Sequence, residues 1–379
     1  MASSNSCWLP QVMLLLSALI SQALWKNVSV CAKLKILFGA GSMFNKPPMI
    51  TAMALGQMPQ FAAAELGEKK AETALQAAGL SPYFLEGRCG YIPEHSLAEF
   101  IGGVARRLGY DGLGLLWAPY LTVADYGTWG RYVLSAPDLG TALRRAQKEM
   151  QLHSNTDRVH MHVGYNVVTY SYDFGLKGHP SYPDIAYSAI AVILSIHRHF
   201  LGSRWSPLRI EFNIPKISIV SRIEETFGCP VSFGNESLRI LFPSHTLGQP
   251  NPNMTQCGQV SRQDILRERV IGPPESLVQS TQDLILAQLS EHSISLDAAA
   301  LSLGMSVRTL QRHLNDEGVS FRGLVNDALM HRARELLAVD GNSVGQVAAA
   351  LGYSSPNNFS RAFSAFFGMS PRRVQKVQL

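Results

Sequence analysis

The 379-residue sequence predicts two domains of different fold class. We expect an α/β or α+β N-terminal domain, followed by an all-α C-terminal domain with two helix-turn-helix motifs joined by a long helix. Three observations predict this architecture: an internal repeat near the C-terminus, an alternating apolar pattern in the middle of the chain, and a Pro-punctuated segment between them. With 46% hydrophobic residues, both domains can build packed cores.

The expected boundaries divide the chain into four segments. Residues 1–48 form an N-terminal extension of uncertain structure, 49–245 the first domain, 246–279 a linker and 280–379 the all-α domain. Within the extension, Val12 to Leu24 is apolar, but no basic residue precedes it and it is shorter than the roughly 20 residues that span a bilayer. We therefore interpret it as poorly structured rather than as a membrane anchor.

The middle of the chain carries mixed signals for helices and strands. Ser96 and Glu99 have the spacing of a capping box, which predicts a helix that ends at Gly109. The alternation in 159–174 predicts paired strands, or one strand with a bulge. Further helices are predicted at 138–152, 185–201 and 260–270, and further strands at 208–214 and 238–242.

Chemistry-bearing residues in this region form no recognisable catalytic or metal motif. His160 and His162 have strand spacing, and His197 and His199 lie two apart on a predicted helix. Without an accompanying carboxylate or Cys pattern, we expect neither a metal nor a cofactor. The cysteines form no CxxC pair, which favours a reducing cytoplasm: Cys7, Cys31, Cys89, Cys229 and Cys257. We also expect no enzymatic activity, because the sequence contains no nucleophile elbow, phosphate loop or paired acid and base.

The repeat aligns Ser295–Ser306 with Ser343–Ser354, 48 residues later, with small, apolar and Gly positions in register. Each copy has the signals of two short helices at a tight turn, so the motifs are expected at about 295–318 and 343–368. In the second copy, Ser343 with Gln346 is a capping box, and Gly352 suits a left-handed stop.

The second helix of each motif has one apolar and one polar face. Leu310 and Leu314, and in the second copy Phe359, Phe363 and Phe366, predict the buried faces. Arg can bind guanine through two hydrogen bonds, and Asn or Gln can do the same for adenine. We therefore predict base contacts in double-stranded DNA from Arg308, Gln311, Arg312, Asn357, Asn358 and Arg361. The predicted phosphate contacts are Ser306, Thr309, Ser354, Ser360, Arg372 and Arg373.

Two further features fit a DNA partner. The connecting run from Phe321 to Val339 would span roughly 28 Å as a helix, close to the about 34 Å of one DNA turn. Net charge is only +5, but no acidic residue follows Asp340, whereas Arg and Lys continue. A small-residue helix pair also occurs in all-α cores, but two copies with matching Arg positions favour DNA binding.

The two motifs resemble those of the AraC/XylS family of bacterial transcription regulators. The resemblance lies in Met305–Leu314 and Gly352–Pro371, and it implies a seven-helix DNA-binding unit. Leu329 and Val374 depart from the family pattern, which often has Arg and Tyr there. Less tightly, three segments of the middle region resemble the arabinose-binding-type sensor half of the ornithine-regulator-like branch: 205–212, 227–233 and 238–243.

The resemblance implies a cytoplasmic transcription regulator, more often an activator, controlled by a small-molecule effector. Its expected partners are promoter DNA, RNA polymerase, an effector of unknown identity and a second copy of the chain. Residues 49–245 would then sense the ligand and dimerise. Two alternatives stay open: an enzyme domain fused to a DNA-binding unit, and an effector-independent DNA-binding protein. No effector-binding residue is assigned.

Overall fold

The computed structural model describes residues 46–80, 90–253, 260–268, 272–290, 293–338 and 342–376. The apolar run at 12–24 lies outside these ranges, as do Cys7, Cys31, Cys89 and Cys257. Within the described ranges, no helix has both the length and the apolar character needed to cross a membrane.

The N-terminal domain is built on a mixed five-stranded sheet in the order β3-β4-β7-β5-β6. Its strands are β3 (Arg158–Val163), β4 (Val167–Asp173), β5 (Arg209–Glu211), β6 (Val231–Ser232) and β7 (Leu238–Pro243). All neighbours are antiparallel except β5 and β6. The predicted paired strands in 159–174 are confirmed as the β3–β4 hairpin, and alternate β4 residues are buried on one face.

A second, two-stranded sheet and a layer of helices complete this domain. β1 (Met49–Thr51) pairs antiparallel with β2 (Tyr91–Pro93). The helices of the domain are α1 (Met58–Leu66), α2 (Glu68–Ala77), α3 (Glu94–Leu108), α4 (Leu113–Trp117), α5 (Gly127–Leu134), α6 (Leu139–Lys148), α7 (Tyr182–Leu201) and α8 (Val220–Phe227). Helix α7 is largely buried beside the sheet, so it separates the sheet from solvent on that face.

Helix α3 corrects one expectation. It begins at Glu94, not after a Ser96 cap, and Pro93 occupies the N-cap position. Ser96 therefore lies inside the helix, where its buried hydroxyl donates to the carbonyl oxygen of Ser302 over 3.2 Å. The capping-box prediction was wrong because the helix begins two residues before Ser96. The predicted end is confirmed, since Gly109 adopts the left-handed conformation with φ +62°.

The segment between the domains is attached to the N-terminal domain at several points. Helix α9 (Arg262–Glu268) is held by Arg262, whose Nε lies 2.9 Å from the buried Glu149 carboxylate. At its other end, Glu268 accepts a hydrogen bond from the Thr128 N–H over 3.1 Å. The buried Asn155 amide donates to the Pro274 carbonyl over 2.7 Å. This part of the predicted linker is thus packed against the N-terminal domain.

The C-terminal domain is entirely helical in its described part. Its helices are α10 (Leu277–Ser290), α11 (Leu296–Ser302), α12 (Val307–Asp316), α13 (Phe321–Ala338), α14 (Val344–Ala350), α15 (Pro356–Phe367) and α16 (Pro371–Lys376). Ser295, Ser306, Ser343 and Ser355 cap four of these helices, and the predicted Ser343–Gln346 capping box is confirmed.

The two helix-turn-helix motifs belong to different apolar cores. Leu310 and Leu314 of the first motif are buried in a core continuous with that of the N-terminal domain. Phe359 and Phe363 of the second motif lie in a separate core with Met330 of α13. Helix α13 contributes its N-terminal half to the first core and its C-terminal half to the second. It therefore joins the two motifs through a helix that is about 27 Å long.

Candidate nucleic-acid interface

The face of the first motif that the sequence predicts to read DNA is the exposed side of α12. Ser306 caps this helix by accepting the Thr309 N–H over 3.1 Å. Leu310 and Leu314 are fully buried on the opposite side. This places Arg308, Gln311 and Arg312 on the exposed side, together as predicted. Burying the Leu pair fixes the rotation of the helix, so the three polar side chains face solvent as one group.

The predicted phosphate residues Ser306 and Thr309 lie at the start of the same helix. Their hydroxyl oxygens are 2.8 Å apart, and both are beside the first turn of α12. N–H groups at a helix start carry partial positive charge and favour anions. The position therefore suits a DNA phosphate, although Ser306 already uses its oxygen as the cap.

The reading face of the second motif carries a hydrogen-bonded chain of three predicted contacts. Arg361 Nη2 donates to Asn358 Oδ1 over 2.6 Å, and Asn358 Nδ2 donates to Ser354 Oγ over 3.0 Å. Asn357 is exposed beside them. The Asn358 amide is therefore held by both neighbours.

The prediction that Phe366 of the second motif is buried is wrong. Phe359 and Phe363 are fully buried, but Phe366 is 36% exposed. A three-residue step carries the helix less than a full turn, so Phe366 lies at the rim, where its ring centroid is 5.8 Å from that of His331. Phe367, four residues after Phe363, packs against this core instead.

The remaining predicted phosphate residues differ in exposure. Arg372 and Arg373 are exposed at the start of α16, next to the buried Pro371, whereas Ser360 is half-buried on α15. Two other cations act within the domain: Arg332 pairs with Glu335 over 3.0 Å, and Arg334 lies 5.4 Å above the Phe367 ring. Arg372 and Arg373 thus form the positive end of the domain, in a region where the sequence has no acids.

The first motif contacts the N-terminal domain through Ser302 and Gly304, and the sequence did not predict this contact, which we call the seam. Ser302 Oγ donates to the Gly79 carbonyl over 2.9 Å. Beside it, Gly304 packs so closely against His95 that a Cβ there would lie 2.9 Å from the ring. The pKa of His95 is lowered by burial and by the neighbouring His179, which favours the neutral ring. One signal existed: Ser302 is polar where the second copy has Ala350.

A cavity of about 80 Å³ lies at the centre of the N-terminal domain. Its wall combines β4, α3 and α7 with an aromatic cluster in which His153 stacks on Tyr126 at a centroid distance of 4.9 Å. Leu97 and Ile101 bring α3 to the wall. Periodicity alone could not separate these cavity residues from ordinary core, because both are apolar and buried.

Two buried carboxyl groups lie behind the cavity wall. Tyr172, a wall residue, donates its hydroxyl hydrogen to Asp157. Glu94 accepts from Ser154 over 3.1 Å and from Thr156 over 2.9 Å. Burial, with Asp157 nearby, raises the pKa of Glu94 well above its usual value, and burial raises the pKa of Asp157 to about 6. Both groups therefore bind a proton at higher pH than ordinary carboxyl groups do.

The histidines considered for metal binding take up other roles. His160 and His162 are exposed on the outer face of β3. His197 is fully buried, stacks on Trp205 at 4.9 Å, and has its pKa lowered to about 4 by burial. His199 Nε2 lies 3.3 Å from Asn251 Oδ1. In the described ranges, no group of three or more His, Cys, Asp or Glu residues could hold a metal ion.

Comparison with known proteins agrees with this division into two functional parts. The family described as the N-terminal arabinose-binding domain of AraC transcription regulators matches residues 70–251, and a helix-turn-helix domain family matches residues 299–376. The ornithine utilization regulator of Pseudomonas aeruginosa is 24% identical over 322 residues, 81% of this chain and 91% of that protein. The regulator VqsM of the same species is 26% identical, over 69% and 83% of the two chains.

Among solved structures, the transcriptional regulator CdpR from Pseudomonas aeruginosa is similar at 21% identity. The match covers 70% of this chain and 86% of that chain, with a TM-score of 0.34. The two family matches and the fold define a transcription regulator that joins a ligand-binding N-terminal domain to a helix-turn-helix DNA-binding domain. The chain belongs to the AraC family.

Proposed function

We propose that this regulator is a cytoplasmic transcription activator without catalytic activity, and that a small molecule in the N-terminal domain controls how the first helix-turn-helix motif engages DNA. The single observation that carries this proposal is the position of α3. Leu97 lines the central cavity, while Ser96, the preceding residue, is hydrogen-bonded to Ser302 of the first motif over 3.2 Å. One helical turn thus touches both the cavity and the DNA-binding domain.

A ligand can shift a conformational equilibrium only by binding one state better than the other. An occupant of the cavity that displaces Leu97 would also move Ser96 and His95, which hold Ser302 and Gly304. The second motif has its own core, so the first would move relative to it through α13. We infer that the ligand changes the relative placement of two reading helices and thereby the fit to successive major grooves.

The base-reading set in this proposal comprises Arg308, Gln311, Arg312, Asn357, Asn358 and Arg361, and the phosphate set Ser306, Thr309, Ser354, Ser360, Arg372 and Arg373. Exposure of the six reading residues on two capped helices supports the first set. Activation further requires contact with RNA polymerase, and a homodimer would present four motifs to one operator. Domain limits at 49–245 and 280–379 are retained as part of the proposal.

The test is genome-wide mapping of bound sites in cells grown with different carbon sources, followed by transcript measurement at those sites. We expect site occupancy or transcription at bound promoters to depend on growth condition, with transcripts reduced in a deletion strain. As a control, an Arg312→Ala, Arg361→Ala double variant should lose the sites while keeping wild-type helical content. Sites occupied identically under every condition, with unchanged transcripts, would contradict ligand control.

A further inference from the structure

The wall of the central cavity is apolar to an unusual degree for a site that must recognise a metabolite. Among the described residues that line it, there is no Lys, Arg, Asp or Glu. Aliphatic side chains such as Ile101, Ile185 and Ile193 form one part of the wall. Met58 and Met150 contribute flexible side chains that can adapt to different shapes.

Several polar groups in the wall are already bonded to the protein. Trp129 donates its indole N–H to the Glu149 carbonyl over 2.9 Å. Tyr172 donates to Asp157 behind the wall. Ser188 donates to the Asp184 carbonyl over 2.8 Å and accepts the Trp117 indole N–H at the same distance. These groups therefore present their apolar parts to the cavity.

This arrangement decides which ligands the cavity can accept. A charged ammonium or carboxylate loses its hydration free energy on entering such a space. Only a paired charge or several hydrogen bonds from the wall can compensate for this loss. The described wall offers no paired charge. A sugar would leave most of its hydroxyl groups unpaired for the same reason. Transfer of an apolar molecule from water into the cavity is favourable, and it does not carry the hydration loss that a charged or hydroxylated molecule has.

We propose that this cavity binds an uncharged, predominantly apolar small molecule, with an aliphatic or aromatic body, and excludes charged amino acids and free sugars. The proposal rests on the proposed ligand control, because it names the chemical class of that ligand. The aromatic part of the wall, where His153 stacks on Tyr126 and Trp129 is tilted against them, suits the flat face or the chain of such a molecule.

The test uses the full chain and N-phenyl-1-naphthylamine, a neutral fluorescent probe that brightens in apolar surroundings. We expect saturable binding of one probe per chain. Met58→Trp would fill the cavity from α1 and should weaken probe binding at least tenfold. The matched control is Ala64→Trp, which adds the same side chain at an exposed position of the same helix and should leave the affinity unchanged.

Ala189→Leu provides a second cavity-filling variant on a different element, α7, in case Met58→Trp does not fold. Circular dichroism identifies variants that keep the fold. Competition with L-ornithine, L-arabinose and 1-octanol then tests the chemical class. We expect 1-octanol to displace the probe, and millimolar L-ornithine or L-arabinose to leave the bound fraction unchanged.

Equal probe affinity in wild type and a folded cavity-filling variant would overturn the proposal. Displacement by L-ornithine or L-arabinose that the filling variants abolish would overturn it as well, in favour of a polar ligand. DNA binding measured on the same preparations separates the two proposals. If the wild-type chain binds the probe but not DNA, the proposed function is rejected. If it binds DNA but its probe affinity does not depend on the cavity-filling substitutions, only the proposed ligand class is rejected.

Discussion

The hydroxyl of Ser302 donates a hydrogen bond to the main-chain carbonyl of Gly79 over 2.9 Å, and this bond joins the first helix-turn-helix motif to the sensor half. Gly79 is left-handed, with φ +69°, and a Cβ there would lie 3.1 Å from Ser302 Cα and closer still to the hydroxyl oxygen. The seam therefore requires glycine for two reasons: its backbone conformation and the close approach of α11.

The first prediction uses these two requirements to test the seam. Gly79→Ala should add steric conflict to left-handed strain, whereas Gly109→Ala adds only the strain, because nothing lies within 4 Å of its Cβ position. Left-handed strain costs about 1–2 kcal/mol in either variant. We expect hydrogen exchange of Leu296–Ser302 to accelerate about tenfold in Gly79→Ala alone. Equal acceleration in both variants would show that the seam does not hold the motif.

The local signals of the DNA-binding domain could be predicted from the sequence because caps and stops act within a few residues. Ser343 and Gln346 are an example, since both bonds of their capping box are formed. The Ser302–Gly79 bond spans 223 positions and has no local signature. Ser96 shows the converse case: its spacing from Glu99 predicts a cap, but the helix begins at Glu94, and the Ser96 hydroxyl is bonded to Ser302 of the other domain.

The second prediction concerns base recognition. Replacing Arg312 or Arg361 by Ala should cost about 1–3 kcal/mol at the operator and relax the preference at one base pair, because a bidentate contact is lost. Arg322→Ala is the charge-matched control, since Arg322 is exposed on α13 and not on a reading helix. Binding to a randomised operator library measures the preference. If the Arg312→Ala and Arg361→Ala variants both keep the wild-type base preference, these two residues do not contact bases.

The third prediction concerns phosphate contacts. Arg372 and Arg373 are exposed at the start of α16, so their replacement by Ala should weaken binding to all sequences. The dependence of log K on log salt should become shallower by about one for each lost contact. Titrations of specific and random DNA at several salt concentrations provide the measurement. A loss confined to the specific operator would place these residues at base edges instead.

The fourth prediction follows from the buried carboxyl groups. Burial raises the pKa of Asp157 to about 6 from the usual 3.8, and also raises that of Glu94. Between these values the folded chain binds more protons than the unfolded chain, so stability falls as pH rises. Because Gln does not titrate, Glu94→Gln should make the decrease in unfolding free energy with rising pH smaller, as measured by denaturant unfolding at a series of pH values. Glu65→Gln, at an exposed site on α1, is the control and should change nothing.

The last prediction is that the two motifs contribute differently to binding. The first presents Arg308, Gln311 and Arg312 together on the exposed face of α12. It is followed by Asp316 and Glu317, whose negative charge is unfavourable near a helix C-terminus and near phosphate. In the second motif, Arg361 is already hydrogen-bonded to Asn358, and the surrounding sequence carries no acid after Asp340.

We therefore expect the first motif to supply more of the discrimination between bases and the second more of the sequence-independent affinity. Base changes in the half-site that faces Arg308, Gln311 and Arg312 should carry the larger penalties, about 1–3 kcal/mol each. Arg361→Ala should lower specific and non-specific affinity by more nearly similar factors than Arg312→Ala does, although both variants lose a base contact. Both are measured at one fixed salt concentration, since affinity depends steeply on salt. The reverse ranking would reject this division of labour, because Arg361, although hydrogen-bonded to Asn358, would then discriminate between bases more than the first motif does.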